Sequence, residues 1–112
     1  MIKHLSDRNL LNGTSFFGIV VYATANSLTK LFGEPFRDID SKTQYEWQLE
    51  YEGIPFAIYD WKEPEIDPDE SIGFHIGAKT KEDSIKVYNA IKRKLKRGSN
   101  SRRTVKRESN NY

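Results

Sequence analysis

The stretch Gln44 to Trp61, QYEWQLEYEGIPFAIYDW, decides the fold. Two runs rich in aromatic and β-branched residues flank Glu52-Gly53. An X-Gly pair between such runs is a hairpin signal, because a tight primed turn needs positive φ, which glycine adopts without strain. With that turn, the cross-strand partners are Tyr51 with Ile54, Leu49 with Phe56, Trp47 with Ile58 and Tyr45 with Asp60. These pairs share one face and are nearly all apolar, so that face is assigned to the core. The other face receives Glu50 with Pro55, Gln48 with Ala57, Glu46 with Tyr59 and Gln44 with Trp61. A strand face that should be solvated but carries Tyr59 and Trp61 is a surface with a partner.

Outward from the hairpin, SFFGIVVYA (15 to 23) is β-branched and aromatic, the composition of a strand, with a tight point at Gly18. It is too uniformly apolar for an edge, and its expected place is the centre of the sheet. Thr24 can cap a helix over Ala25 to Phe32, which Gly33 stops and Pro35 keeps from continuing. An irregular, charged connection through Arg37, Asp38 and Asp40 leads to the hairpin, and the proline-rich, acidic KEPEIDPDES (62 to 71) leads out of it as a loop. Ile72 to Ala78 alternates, with Ile72, Phe74 and Ile76 directed inward and Gly73, His75 and Gly77 outward. Thr80 and Asp83 form a capping box, after which Ile85, Tyr88, Ile91 and Leu95 follow at helical spacing. The expected fold is α+β: a four-stranded, mainly antiparallel sheet with two helices on one face. The N-terminal segment is 1–14, the domain 15–97 and the tail 98–112.

A chain of 112 residues suits one domain with a single core. The absence of cysteine excludes a disulfide scaffold, a thiolate metal site and a cysteine nucleophile. No apolar run reaches the roughly 18 residues of a membrane span, and the N-terminal sequence lacks a signal-peptide core, so the expected location is cytoplasmic. The net charge of +2 conceals an asymmetry, since KRKLKRGSNSRRTVKR (92 to 107) holds nine of the eighteen basic residues. Residues 1–91 carry nine basic against fifteen acidic groups, a net of −6. The tail beyond Gly98, with Val105 as its apolar anchor, reads either as a solvated, unstructured end or as a phosphate-seeking arm able to reach nucleic acid.

The outer face is the candidate site. Tyr59 and Trp61 on one strand lie beside Gly73, His75 and Gly77 on the next, if the two strands pair. Glycines on either side of a histidine lower the local relief, so a flat ring can lie there while Tyr59 or Trp61 stacks on it, worth about 1–3 kcal/mol per base. Lys62, Lys79 and the Lys92–Arg97 cluster, Arg93 among them, would supply phosphate contacts. The alternatives are that a helix or the tail covers these aromatics, or that a second subunit buries them in a homodimer. Glu46, Glu50 and Asp60 can be combined with His75 as an acid–base set, but no spacing requires it. His4 and His75 are the only histidines and are far apart, which argues against a metal site. GFHIGAK matches neither a P-loop nor a dinucleotide fingerprint.

Several stretches taken in order, GTSFFGIVVYA, LTKLFGEP, Tyr45-Glu46-Trp47, IYDWK (58 to 62) and HIGAK (75 to 79), resemble a group of small bacteriophage-encoded proteins over roughly residues 14 to 95. Phage proteins of this size include sponges that bind cyclic nucleotide alarm signals of bacterial immunity, of the anti-CBASS and anti-Thoeris types, without cleaving them. The resemblance implies a non-catalytic protein of the host cytoplasm that needs no cofactor and binds a small nucleotide such as a cyclic dinucleotide. The basic tail departs from that group. The rival expectation is a phage protein that binds a host protein or nucleic acid through the aromatic face and the tail.

Overall fold

The computed structural model describes residues 1–37 and 43–106, with side chains up to Arg97. The fold is α+β. One antiparallel sheet is built from β1 (Ile2–His4), β2 (Ser15–Thr24), β3 (Glu46–Tyr51), β4 (Ile54–Tyr59) and β5 (Ser71–Ala78), in the order β1-β3-β4-β5-β2. Two helices, α1 (Ala25–Phe32) and α2 (Lys81–Lys106), complete it.

The hairpin has the expected register, from Tyr51 opposite Ile54 to Glu46 opposite Tyr59. Glu52 and Gly53 both have positive φ, 51° and 81°, the backbone of a primed two-residue turn. Asp60 extends the hairpin in an unforeseen way. Its Oδ1 accepts from the backbone N–H of Gln44 at 2.7 Å and of Tyr45 at 2.8 Å, so a carboxylate takes the place of a strand carbonyl where the ladder ends.

Both helices pack on one face. Leu28 and Phe32 of α1 and Val87 and Ile91 of α2 share a core with Val21, Trp47, Leu49, Phe56, Ile58, Phe74 and Ile76. Thr24 caps α1 with a reciprocal capping box through Ser27, and Gly33 ends it. The Gly33 carbonyl accepts from the Trp47 indole N–H at 2.9 Å, which satisfies the one polar atom of the largest core side chain. Thr80 Oγ1 accepts from the Asp83 N–H at 3.0 Å at the start of α2. The buried stripe of α2 runs through Ser84, Val87 and Ile91, while Tyr88 and Leu95 are partly buried and Ile85 is exposed.

Three expectations need correction. The sheet has five strands rather than four, because the first residues add β1 to the hairpin, Ile2 opposite Tyr51 and His4 opposite Leu49. β2 lies at the edge, not in the centre; it pairs with β5, and no other described strand lies beside it. Finally, α2 does not stop at Arg97 but continues through Gly98 to Lys106. No proline follows to break it, and one interior glycine costs a helix only about 1 kcal/mol. Residues 107–112 of the expected tail, and Asp38 and Asp40 of the charged connection, lie outside the described residues.

β1 and β2 occupy opposite edges, so the chain between them must cross the sheet, and it does so on the face away from the helices. A single 3₁₀ turn, Arg8–Leu11, sits there over β4, with Asp7 Oδ1 accepting from the Asn9 N–H at 3.0 Å. This crossing strap explains why Gln48 and Ala57 are buried although they point away from the core.

Candidate functional site

The outer face gathers five of the residues singled out in the sequence. Tyr59 opposes His75 across β4 and β5, with ring centroids 5.6 Å apart, and meets Trp61 edge-on at 6.4 Å. A Cβ built on Gly77 would lie 3.3 Å from Tyr59 Cε1, so the phenol ring rests on that glycine. Lys62 Nζ stands 5.6 Å from the centre of the Trp61 ring. Lys79 is exposed one residue past the end of β5. Arg93 belongs elsewhere. It donates to the Tyr51 hydroxyl at 3.2 Å, and Tyr51 shares the face of Trp47 and Leu49, so α2 holds Arg93 on the opposite side of the sheet from Tyr59.

The expected open platform at Gly73-His75-Gly77 is already filled from within. Phe16 stacks on His75 with centroids 3.9 Å apart and planes inclined by 11°. A Cβ at Gly73 would come within 2.7 Å of Val20 Cγ1 and 3.2 Å of Tyr22 Cε1. The glycines therefore admit the chain's own side chains from β2 and β4 rather than a foreign ring. A bulge delivers Phe16 to this place: between Phe16 opposite Gly77 and Val20 opposite His75, β2 contains two more residues than β5.

What stays open is a groove of about 420 Å³ between the strap and the sheet. Arg8, Asn9 and Asn12 form its strap side, and Glu46, Gln48, Tyr59 and Trp61 its sheet side. Gln48 Nε2 donates to Glu46 Oε2 at 2.9 Å, which holds the carboxylate in place. Burial raises the Tyr59 hydroxyl above its ordinary pKa and the Glu46 carboxylate adds to that, so Tyr59 is a neutral phenol. Burial lowers the His75 pKa against the opposing pull of Glu63 and Asp60, so His75 is a neutral imidazole at pH 7.

Of the carboxylates considered beside His75, Glu50 stands 3.8 Å from Lys3 of β1 and Glu46 lines the groove. Asp60 is fully buried, and its Oδ1 is occupied by the two backbone N–H groups. Among the described residues no group of three or more His, Cys, Asp or Glu side chains is arranged to hold a metal ion, and no helix is long and apolar enough to cross a membrane. Sequence reasoning missed Phe16 and the strap residues Arg8, Asn9 and Asn12. Asp7 and Asn12-Gly13 are turn formers, and that signal foretells a compact turn but not the face it covers. No family model, no curated protein and no solved structure matches this chain.

Proposed function

We propose that this is a binding protein that sequesters a small nucleotide without chemically changing it, with the groove beneath the strap as its site. The observation that carries the reading is the meeting of Tyr59 and Trp61 with a Gln48-anchored Glu46 under Arg8. Trp61 offers a base a stacking surface. Glu46 accepts from the N–H donors of the base edge, and Arg8 and Lys62 meet phosphate. The volume lies within the range of small-ligand sites. Binding rather than turnover is supported by His75, the histidine nearest the groove, being stacked under Phe16, and by Asp60 being committed to the backbone. The choice of a cyclic dinucleotide, and of the host cytoplasm as the place of action, rests on the resemblance of residues 14 to 95 to small phage proteins.

The test is to incubate the purified protein with a panel of cyclic nucleotides, remove unbound ligand, and release what is retained by heat. Recovery of one intact nucleotide, lost in Glu46→Gln and Trp61→Ala, is the expected result. A converted product would make the protein an enzyme. No retention, together with salt-sensitive capture of DNA or RNA, would move the function to the basic residues of α2, where Lys92, Arg93, Lys96 and Arg97 are exposed.

A further inference from the structure

We infer that the protein is a symmetric dimer in which the β2 strands of two copies pair antiparallel, joining two five-stranded sheets into one.

Composition and place disagree at one edge of the sheet. β2, SFFGIVVYAT, has the composition of a central strand yet occupies an edge. An edge strand offers a row of backbone N–H and C=O groups to any strand that can lie beside it. Proteins blunt such edges with short strands and charge, and the opposite edge of this sheet does both: β1 has three residues, and its Lys3 faces Glu50 at 3.8 Å. β2 has ten residues, and no charged residue stands anywhere between Arg8 and Lys30. On the straight part of the strand Tyr22 is 74% exposed; before the bulge Phe17 is 36% exposed, while Phe16 is held against His75. Pairing with a second β2 would make the strand central, which is what its composition fits.

A second copy suits this edge better than an unrelated strand. Antiparallel pairing about a two-fold axis presents the same residues from both sides, so an uncharged strand meets itself without like-charge repulsion in any register. The two ends of the edge differ in sign within the sheet layer. Lys79 follows Ala78, the partner of Ser15, while Glu70 precedes Ser71, the partner of Thr24, and Asp69 accepts from Asn26 just beyond β2 at 2.6 Å. Antiparallel pairing points the acidic end of one copy toward the Lys79 end of the other across three strand spacings, about 14 Å, so these charges orient the approach and form no ion pair. The bulge between Phe16 and Val20 bends the first part of β2 out of line, so the pairing runs through Ile19–Thr24 and the axis lies near Val21.

Size-exclusion chromatography with light scattering at about 100 μM, where a dimer with a dissociation constant of about 10 μM or tighter is mostly assembled, tests the proposal. The expected mass is twice the 13.0 kDa of one chain. The chain has no cysteine, so single cysteines can locate the interface. Tyr22→Cys, on an exposed side chain that the fold tolerates losing, should cross-link to its mate with a short bis-maleimide. Glu52→Cys, in the hairpin turn beyond β5 and β4, should not. Tyr22→Lys should give a monomer with an unchanged circular dichroism spectrum. A wild-type chain that is monomeric at this concentration overturns the proposal, and so does a dimer in which Tyr22→Cys fails to cross-link.

Discussion

Phe16 lies flat on His75, ring centroids 3.9 Å apart, and so occupies the position above β5 that a bound ring would otherwise take. The contact joins an edge-strand residue to an inner-strand one and closes that part of the outer face, leaving the groove beside Tyr59 and Trp61 open. Aromatic pairs of this kind contribute about 0.5–1.5 kcal/mol beyond the area they bury. Phe16→Ala should therefore lower stability by about 1 kcal/mol and, by admitting water, raise the His75 pKa toward its ordinary value. An NMR titration of the His75 ring reads this directly, and an unmoved pKa would show that Phe16 does not shield the imidazole.

The lowered His75 pKa makes stability depend on pH with a definite sign. The unfolded chain binds the proton first as pH falls below the ordinary histidine value of about 6.5, so acid favours unfolding. The contribution is whole above that value and is lost as pH falls through the folded-state pKa. Urea midpoints measured for the native chain and for His75→Gln between pH 7.5 and about 5 should diverge at neutral pH and converge in acid. A constant difference across the range would remove His75 as the source.

Asp60 terminates the hairpin ladder with a fully buried carboxylate that accepts two backbone N–H groups. Asp60→Ala leaves both donors unsatisfied and should cost about 3 kcal/mol, since such bonds to a charged acceptor are worth about 1.5–3 kcal/mol each before relaxation. Asp60→Asn keeps one acceptor oxygen and should cost less. Equal losses in the two variants, measured by denaturant unfolding, would mean that charge rather than hydrogen bonding holds the strand end.

Gly73 admits Val20 and Tyr22 over β5. Gly73→Ala would place a methyl 2.7 Å from Val20 Cγ1, a β-branched side chain with little rotamer freedom. A loss of about 1–3 kcal/mol is expected, as for other overpacked sites. Heteronuclear spectra should show the largest shifts at Val20 and Tyr22, and shifts centred elsewhere would refute this account of the glycine.

Trp61 is 43% exposed and lies outside the core. Trp61→Ala should leave the melting temperature within a few degrees of the native value while abolishing nucleotide retention. Collapse of the fold in this variant would make Trp61 structural. Truncation after Arg97 should preserve a cooperative transition, because Val87, Ile91 and Leu95, the apolar contacts of α2, all precede the cut.

Local chemistry was enough for the sequence to determine the hairpin, the first helix and the two faces of β5. Glu52-Gly53 specifies a turn, Thr24 and Gly33 mark the ends of a helix, and strict alternation assigns Phe74 and Ile76 to the core and His75 away from it. These signals act over a few residues, so they are readable before any tertiary contact is known. Tertiary structure alone decided where β2 lies, what crosses the outer face, and on which side of the sheet Arg93 falls. An apolar strand in the centre and an apolar strand awaiting a partner have the same composition, and a turn of Asp7, Arg8 and Asn9 reads the same whichever face it covers. Phe16 reached His75 through a bulge that shifts register between two strands some 60 residues apart in the chain, and no local pattern encodes such a pairing.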